Sequence, residues 1–315
     1  MNRRTTLKKL LAAGGLGLMA GEIHALSTFS EAARPQPSPQ PLYLFTKVLQ
    51  WMPLDDLGQA VKDMGFSGID LPVRKNGFFD VDEIKTNMPK ITRQSENLGL
   101  QTPVLTTEIT LAHFQEMEEF LKTLSGEGIK NYRMGWMPFP SNNIREELRS
   151  LNDRMKKAAE LHAKYGVTGH YQNHAGNRIG GSVWEIHHLL EGINPDHIGI
   201  QFDLRHATVE GYRSYENVFY LVSDKIRSFD LKDFVWGNPS GKGDEPVNVP
   251  FGEGNVNFKL LLKHPGFKST EIPKILHIEH DMGGAEHGHK NPKMPGDQIL
   301  SAIQKDVETY SKTMG

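Results

Sequence analysis

Short apolar runs alternate along the chain with longer segments in which apolar residues recur every three to four positions. The short runs predict buried strands, and the longer segments predict amphipathic helices. The clearest helical segment runs from Ile144 to Tyr165, with Leu148, Leu151 and Met155 on one stripe. From Leu42 onwards the chain fits eight strand–helix units. This pattern favours a single α/β domain folded as a (β/α)8 barrel (TIM barrel) over an open sheet.

The eight predicted strands are bounded by residues that favour turns or helix starts. In chain order they are YLFTKVL, FSGIDLPV, LQTPVLTTEI, IKNYRMGWMPF, VTGHYQNHAG, IGIQFDLRHA, IRSFDLKDFVW and KILHIEHDMGG. Pro89 lies inside the helical segment after the second strand and is expected to kink or divide it. The Gly- and Pro-rich segment 238–254 is expected to form a long loop over the barrel rim, a candidate lid.

The last four predicted strands each carry polar side chains on one face, because side chains alternate along a strand. These faces hold His170, Gln172 and His174; Gln201, Asp203 and Arg205; Ser228, Asp230 and Lys232; and His277, Glu279 and Asp281. The opposite faces are mostly apolar. Catalytic groups of such barrels lie at the carboxyl ends of the strands, so this rim is the predicted site.

Three carboxylates, those of Asp203, Asp230 and Glu279, are expected to meet at this rim. Carboxylates this close repel one another unless some take up protons or a cation neutralises them. A divalent cation is one solution, and the residue types suit manganese, magnesium, cobalt or zinc without choosing among them. A network of salt bridges with Arg205, Lys232 and Arg178 is the other solution.

Composition narrows the classes of partner. The chain has 315 residues, a formal net charge of −2 and no cysteine. It therefore has no bias toward nucleic acid or anionic membranes, and any metal must be held by oxygen and imidazole ligands. Neither a GxGxxG after a strand nor a GxxxxGK[ST] is present, so nothing favours nucleotide binding. A small molecule is the expected partner.

The segment before the barrel predicts export. Residues 1–25 combine a basic start, which includes Arg3 and Arg4, with a short apolar run and resemble a twin-arginine signal peptide. Residues 26–41 are Pro-rich and predict an extended linker, and 42–315 is the barrel. The apolar run is short for a bilayer span, so we expect a periplasmic or otherwise exported protein without a stable membrane anchor after signal removal.

Five segments in order resemble the xylose isomerase-like barrel superfamily of sugar isomerases, epimerases and endonuclease-four-type enzymes. The segments are FSGIDLP, QNHAG, FDLRHA, FDLKDF and HIEHD. The resemblance implies a divalent metal ion, which relatives hold with Glu, Asp, His and Glu at the ends of strands five to eight. Asp203 and Glu279 match this pattern, whereas Gln172 stands at the first glutamate position and Asp230 at the histidine position. The implied metal ligands are Gln172, Asp203, Asp230 and Glu279.

The resemblance also implies roles for other rim residues. His206 matches a histidine that contacts substrate oxygen in relatives, although a structural rim histidine is the alternative. Lys232 matches the lysine of their HxKD segment, which would either stabilise an enolate with the metal or pair with Asp203. The catalytic candidates are Glu279, His174, His206 and Lys232. The substrate-binding candidates are Arg205, Asp281 and Trp136, and Asp281 is also a candidate base.

Three functions are compatible with this site. The first is a metal-dependent sugar isomerase or epimerase that abstracts a proton beside a carbonyl and forms an enediolate. The second is a lyase or hydratase that eliminates from a 3-keto-sugar or 3-keto-glycoside, which is favoured by the neutral Gln172. The third is a sugar-binding barrel without catalysis. Export favours a free sugar or glycoside over a sugar phosphate in each case.

Overall fold

The computed structural model describes residues 40–315, and the predicted signal peptide and most of the predicted linker lie outside the described residues. The strands are β1 (Tyr43–Phe45), β2 (Gly68–Pro72), β3 (Gln101–Thr106), β4 (Asn131–Arg133), β5 (Thr168–Gln172), β6 (Ile198–Asp203), β7 (Ile226–Leu231), β8 (Asp233–Gly237), β9 (Glu245–Val249) and β10 (Lys274–Leu276). The α-helices are α1 (Leu54–Asp63), α2 (Ile84–Leu98), α3 (Phe114–Gly126), α4 (Ile144–Tyr165), α5 (Val183–Leu189), α6 (Leu204–Gly211), α7 (Tyr215–Val222) and α8 (Gly296–Met314).

Eight of these strands close a parallel barrel in the order β1, β2, β3, β4, β5, β6, β7 and β10. The ring closes where β1 pairs with β10 and Tyr43 lies opposite Ile275. Across the barrel, β6 pairs with β7 so that Asp203 lies opposite Asp230. The predicted (β/α)8 barrel is confirmed, and its register brings two of the predicted rim carboxylates side by side.

Both faces of the barrel strands are buried, as expected where helices cover a parallel sheet. On the outer face of β6, the Phe202 ring packs edge-on against Phe219 of α7, with ring centroids 5.5 Å apart. On the inner face, one part of the barrel is filled by an apolar cluster of Tyr43, Phe45, Val104 and Ile275. The apolar outward face predicted for the later strands is therefore the face that packs against the helices.

The interior beside β4, β5 and β7 is polar. The His170 Nδ1 atom lies 2.9 Å from Ser228 Oγ, and its Nε2 atom lies 3.2 Å from Asn131 Oδ1. Buried polar groups paired in this way are structural. The predicted polar faces thus divide into two levels. The first residues, such as His170, pack inside the barrel, and the residues from Gln172 onwards form the rim.

The segment predicted as a single seventh strand is two strands. Strand β7 ends at Leu231, and β8 turns away to pair antiparallel with β9, which lies inside the predicted 238–254 loop. The Asp233 carboxylate fixes this turn because it accepts the backbone N–H groups of Phe234, Gly252, Gly254 and Val256 at 2.8 to 3.1 Å. The predicted loop is therefore a β-hairpin, with a return segment organised by one buried carboxylate.

Two other local predictions differ from the structure. Helix α2 continues across Pro89 as one helix, so the expected division is absent; Pro89 removes one hydrogen-bond donor but leaves Ile84, Met88 and Ile91 buried on one face. Strand β10 ends at Leu276, so His277, Glu279 and Asp281 follow the strand and do not belong to it. None of the helices between residues 40 and 315 is long and apolar enough to cross a membrane.

Candidate active site

The ends of β5, β6 and β7 bring together Gln172, Asp203 and Asp230. Gln172 Nε2 donates to Asp230 Oδ2 at 2.5 Å and to Asp203 Oδ2 at 3.2 Å. On its other side, Gln172 Oε1 accepts from Arg133 Nη1 at 2.9 Å. An arginine has only donors, so this contact fixes the amide with its NH₂ group toward the carboxylates. The predicted strand-five ligand thus bridges two acidic residues as a hydrogen-bond donor.

Lys232, directly after β7, lies between two of the predicted metal ligands, Asp203 and Glu279. Its Nζ atom is 3.1 Å from Asp203 Oδ2 and 3.1 Å from Glu279 Oε2. Burial alone would lower the pKa of Lys232, but the two carboxylates outweigh burial and raise it. Burial would likewise raise the pKa of Glu279, but Lys232, Lys47 and His277 hold it well below its usual range. Lys232 is therefore an ammonium and Glu279 a carboxylate.

Three residues that were not predicted as metal ligands, catalytic groups or substrate contacts complete this cluster. Lys47, in the turn after β1, places Nζ 3.0 Å from Glu279 Oε1. His277 places Nε2 3.1 Å from Asp230 Oδ1. Burial opposes its protonation, but Asp230 and Glu279 raise the pKa of His277 to about 9. The third residue is Arg133, which donates to Gln172 Oε1. His277 lies on a polar face that the sequence shows, whereas no signal in the sequence pairs Lys47 with Glu279.

The cluster is balanced in charge by the protein itself. Each carboxylate contacts at least one cation at 3.1 Å or less. The contacts join Asp203 to Lys232, Asp230 to His277, and Glu279 to both Lys232 and Lys47. Asp230 also accepts from Gln201 Nε2 at 2.7 Å. The repulsion expected among these carboxylates is thereby relieved by side chains.

This donor set does not fit the predicted divalent ion. Gln172 turns a donor group toward the carboxylates, and its oxygen is taken by Arg133. The ammonium of Lys232 lies between Asp203 and Glu279, where a bridging cation would have to lie. Among residues 40–315, no three or more His, Asp or Glu side chains are grouped so that they could hold a metal. A bound ion would require these side chains to rearrange.

Beside the cluster, the imidazoles of His174 and His206 stack with ring centroids 3.9 Å apart. His174 Nδ1 donates to the carbonyl of Ala175 at 2.8 Å, which leaves a lone pair on Nε2. Burial, with a contribution from Lys232, lowers the pKa of His174 to about 3. The ring is therefore neutral at neutral pH.

His206 has the opposite tautomer. Its Nδ1 atom accepts from Arg205 Nη1 at 3.1 Å, so the ring proton is on Nε2. That Nε2–H is buried and has no hydrogen-bond partner within the described chain; Asp203 Oδ2 is 3.6 Å away. The position of the ring follows from helix capping, because the Asp203 side chain accepts the backbone N–H of His206 at 3.0 Å. The site thus offers one imidazole acceptor and one imidazole donor.

The predicted substrate-binding residues differ in their placement. Trp136 borders the site, with its ring centroid 4.3 Å from that of His174 and 4.4 Å from the guanidinium of Arg133. Arg205 is buried against the hairpin, where Nη2 donates to the Pro246 carbonyl at 3.4 Å. Asp281 is exposed, and its carboxylate accepts the N–H of Gly283. The structure therefore brings Trp136 and Arg205 to the site and directs Asp281 into its own turn.

The β8–β9 hairpin is attached to the rim at two places. Besides the Arg205 contact, Asn248 Nδ2 of β9 donates to the backbone carbonyl of Glu279 at 3.2 Å. These contacts tie the hairpin to the ends of β6 and β10, on the side of the barrel where the acidic cluster lies. The hairpin forms one wall of the candidate site.

A family model described as "Xylose isomerase-like TIM barrel" matches residues 59–287. The chain belongs to this family. The matched range includes every predicted site residue and both strands of the hairpin, so this family membership agrees with the predicted resemblance. A comparison with curated protein sequences gave no match.

Solved structures of other xylose isomerase-like proteins are similar in fold. The IolI protein with a bound zinc atom has a TM-score of 0.67 and 13% identity, with 88% of this chain and 99% of that chain covered. The probable 3-DHS dehydratase AsbF from Bacillus anthracis has a TM-score of 0.64 and 14% identity, with 85% and 99% covered. The 3-keto-D-glucoside 4-epimerase YcjR from E. coli has a TM-score of 0.60 and 11% identity, with 87% and 99% covered. These identities show a common fold, within which the reactions differ.

Proposed function

We propose that this protein is a sugar isomerase or epimerase that removes a proton from the carbon beside a carbonyl of a small, non-phosphorylated sugar or glycoside. The observation that carries the proposal is the pair of stacked imidazoles with opposite tautomers beside a cluster of buried cations. Abstraction of such a proton needs an acceptor for the proton and positive charge near the oxygen that receives the electrons. The site offers both within one rim.

The residues divide these tasks. His174 Nε2 accepts the substrate proton, and the electron pair of the broken C–H bond moves to the carbonyl oxygen as the enediolate forms. The Nε2–H of His206 and the ammonium of Lys232 donate hydrogen bonds to substrate oxygens as negative charge develops. Glu279 holds Lys232 from one side at 3.1 Å and is partly exposed, which also allows it to accept a substrate hydroxyl. Trp136 provides an aromatic face for the sugar ring.

The resemblance implies another source of stabilisation, a divalent ion held by Gln172, Asp203, Asp230 and Glu279. Such an ion polarises a carbonyl and an adjacent hydroxyl when it is bound. Family membership and the zinc of the IolI protein support it. The hydrogen bonds of Gln172 and the position of Lys232 do not support it.

Elimination from a 3-keto-sugar or 3-keto-glycoside is the second candidate. Epimerisation needs proton-transfer groups on opposite faces of the reacting carbon, whereas His174 and His206 stack side by side. An adjacent acceptor and donor suit removal of a proton and protonation of a leaving group in one molecule of substrate. The neutral Gln172, at a position where relatives have glutamate, supports the same reading. A sugar-binding barrel without catalysis is the third candidate.

We also propose that the protein acts outside the cytoplasm, which supports a free sugar or glycoside as substrate. The basis is the Arg3-Arg4 pair followed by an apolar run. Replacing both arginines with lysine should leave the protein in the cytoplasmic fraction of a host with a twin-arginine pathway. Unchanged export through that pathway would contradict the proposal.

Deuterium exchange tests the reaction class. The full barrel is incubated in heavy water with aldoses, keto-sugars and 3-keto-glycosides, and loss of C–H signals is followed by NMR. We expect exchange with at least one class, and the product then distinguishes an isomer from an eliminated aglycone. His174→Gln should slow exchange by roughly 10²- to 10⁴-fold, and the exposed His289→Gln is the matched control. If no substrate class exchanges, the enolisation proposal fails and the binding-protein candidate replaces it.

A further inference from the structure

The position between Asp203 and Glu279 is occupied by an ammonium. Lys232 is 3% exposed, and its Nζ atom is equidistant, at 3.1 Å, from one oxygen of each carboxylate. These two residues come from the ends of β6 and β10, the strands on either side of β7. A cation shared by them therefore lies across the end of β7, directly before Lys232.

Gln172 removes the need for a second positive charge in the same place. A glutamate here would face Asp203 and Asp230 at hydrogen-bond distance and repel both. The amide instead donates to both carboxylates, and Arg133 on the opposite side prevents the amide from turning over. The departure from the family pattern thus matches a site that is neutralised without a divalent ion.

Asp230, at the position of the family histidine, is also committed to protein partners. It accepts from Gln172 and Gln201, and His277 Nε2 lies 3.1 Å from its Oδ1 atom. Both carboxylate oxygens therefore face donors or a cation of the protein. All four positions of the implied ligand set are engaged with fixed polar or charged side chains.

We propose that Lys232 takes the place of the divalent ion of the family, and that this protein polarises its substrate without a resident metal. An ammonium has three N–H donors. Two of them satisfy Asp203 and Glu279, and the third is available to a substrate oxygen. Lys232 transfers no proton in this scheme; it donates a hydrogen bond to the oxygen that receives the electron pair. The claim that Lys232 polarises the substrate rests on the proposed function. The claim that Lys232 takes the place of the metal concerns ion binding alone.

Ion binding is tested on the purified full barrel, without any substrate. The protein is exposed to Mn²⁺, Co²⁺ or Zn²⁺, dialysed and subjected to elemental analysis, and Mn²⁺ binding is measured by calorimetry. We expect well below one ion per chain and no saturable binding. One tightly bound ion per chain that is lost in Asp203→Ala would overturn the inference.

Replacing Lys232 should have the opposite effect and create a binding site for a divalent ion. Lys232→Met removes the ammonium, keeps an unbranched side chain one atom shorter, and leaves Asp203 and Glu279 without their shared cation, so Mn²⁺ affinity should rise at least tenfold. Lys47→Met is the matched control, because it also removes an ammonium from Glu279 but leaves Lys232 in place. A similar gain in both variants would overturn the inference, because overall charge, and not the position of Lys232, would then govern binding. If Lys232→Met does not fold, the measurement on the unsubstituted protein decides.

The exchange assay separates this inference from the proposed function. Exchange that persists with a chelator present supports both. Exchange that is lost with the chelator and restored by Mn²⁺ overturns the inference and leaves the proposed function standing. Absence of exchange under every condition, together with absence of ion binding, overturns the proposed function but supports Lys232 as the neutralising cation.

Discussion

His174 and His206 stack with ring centroids 3.9 Å apart and carry their ring protons on different nitrogens, Nδ1 and Nε2 respectively. Each tautomer is set by a neighbour that has only one hydrogen-bonding role: a carbonyl accepts, and a guanidinium donates. Without these neighbours, either ring could present a donor or an acceptor to the substrate. Their arrangement gives the rim an acceptor and a donor that do not have to exchange protons before reacting.

The first prediction separates the two histidines. His174→Gln should lower kcat by roughly 10²- to 10⁴-fold, because it removes the proton acceptor. In His206→Gln the side-chain amide still has N–H donors, so its loss of kcat should be smaller than that of His206→Phe. Steady-state kinetics on the substrate identified by deuterium exchange provide the measurement. Equal losses in both His206 variants would show that its N–H does not act in the reaction.

The second prediction concerns the carboxylate cluster. Gln172→Glu replaces two hydrogen bonds with repulsion from Asp203 and Asp230, and should destabilise the protein by about 1–3 kcal/mol. Added Mn²⁺ should recover part of the lost Tm, because the new glutamate restores a family ligand. Gln201→Glu is the control: it also places a carboxylate against Asp230, but not at a family ligand position. Thermal melts with and without Mn²⁺ provide the test, and equal recovery in both variants would contradict the prediction.

The third prediction concerns the hairpin wall. Asn248→Ala removes the hydrogen bond from β9 to the Glu279 carbonyl, so β9 should open more readily. Amide hydrogen exchange in segment 245–249 should be about fivefold faster, as expected for loss of one hydrogen bond worth about 1 kcal/mol. Asn238→Ala, at the hairpin tip, loses a contact to Gly243 and is the control. Unchanged exchange in 245–249 would mean that Asn248 does not hold the hairpin closed.

Much of this fold follows from local pattern. The bounds of α4 are as predicted, because it has a clear apolar stripe and ends at a glycine. The polar faces of the later strands also predicted that Gln172, Asp203 and Asp230 lie together, since period-two alternation determines which side chains share a face. Asp203 and Asp230 are neighbours because β6 and β7 pair in a register that places them opposite each other.

The partners of those rim residues could not be predicted in the same way. Lys47 and Glu279 meet although 232 positions separate them, and no periodicity encodes that contact. The role of Lys232 likewise depends on its distance to both Asp203 and Glu279, which exists only after the barrel closes. The division between β7 and β8 was missed because Asp233 fixes it through backbone groups about 20 residues later.

The last prediction is a pH dependence of stability that originates away from the rim. His162 of α4 is fully buried; Nδ1 donates to the Ala158 carbonyl at 2.7 Å, and Nε2 lies 3.0 Å from the Tyr132 hydroxyl. Burial lowers the pKa of His162 to about 4. In the unfolded chain a histidine has a pKa of about 6.5 and binds a proton more readily. The contribution of His162 to stability is therefore complete above that value and is lost as the pH falls toward 4.

His162→Gln removes this titration. Between pH 7 and pH 5, the free energy of unfolding should fall by about 2 kcal/mol more in the unsubstituted protein than in the variant. Urea unfolding at the two pH values measures the difference, and the exposed His289→Gln controls for the loss of a histidine as such. The variant itself should be less stable at pH 7, because the Tyr132 hydroxyl loses its acceptor. Parallel pH profiles for His162→Gln and the unsubstituted protein would show that burial of this imidazole does not contribute to acid sensitivity.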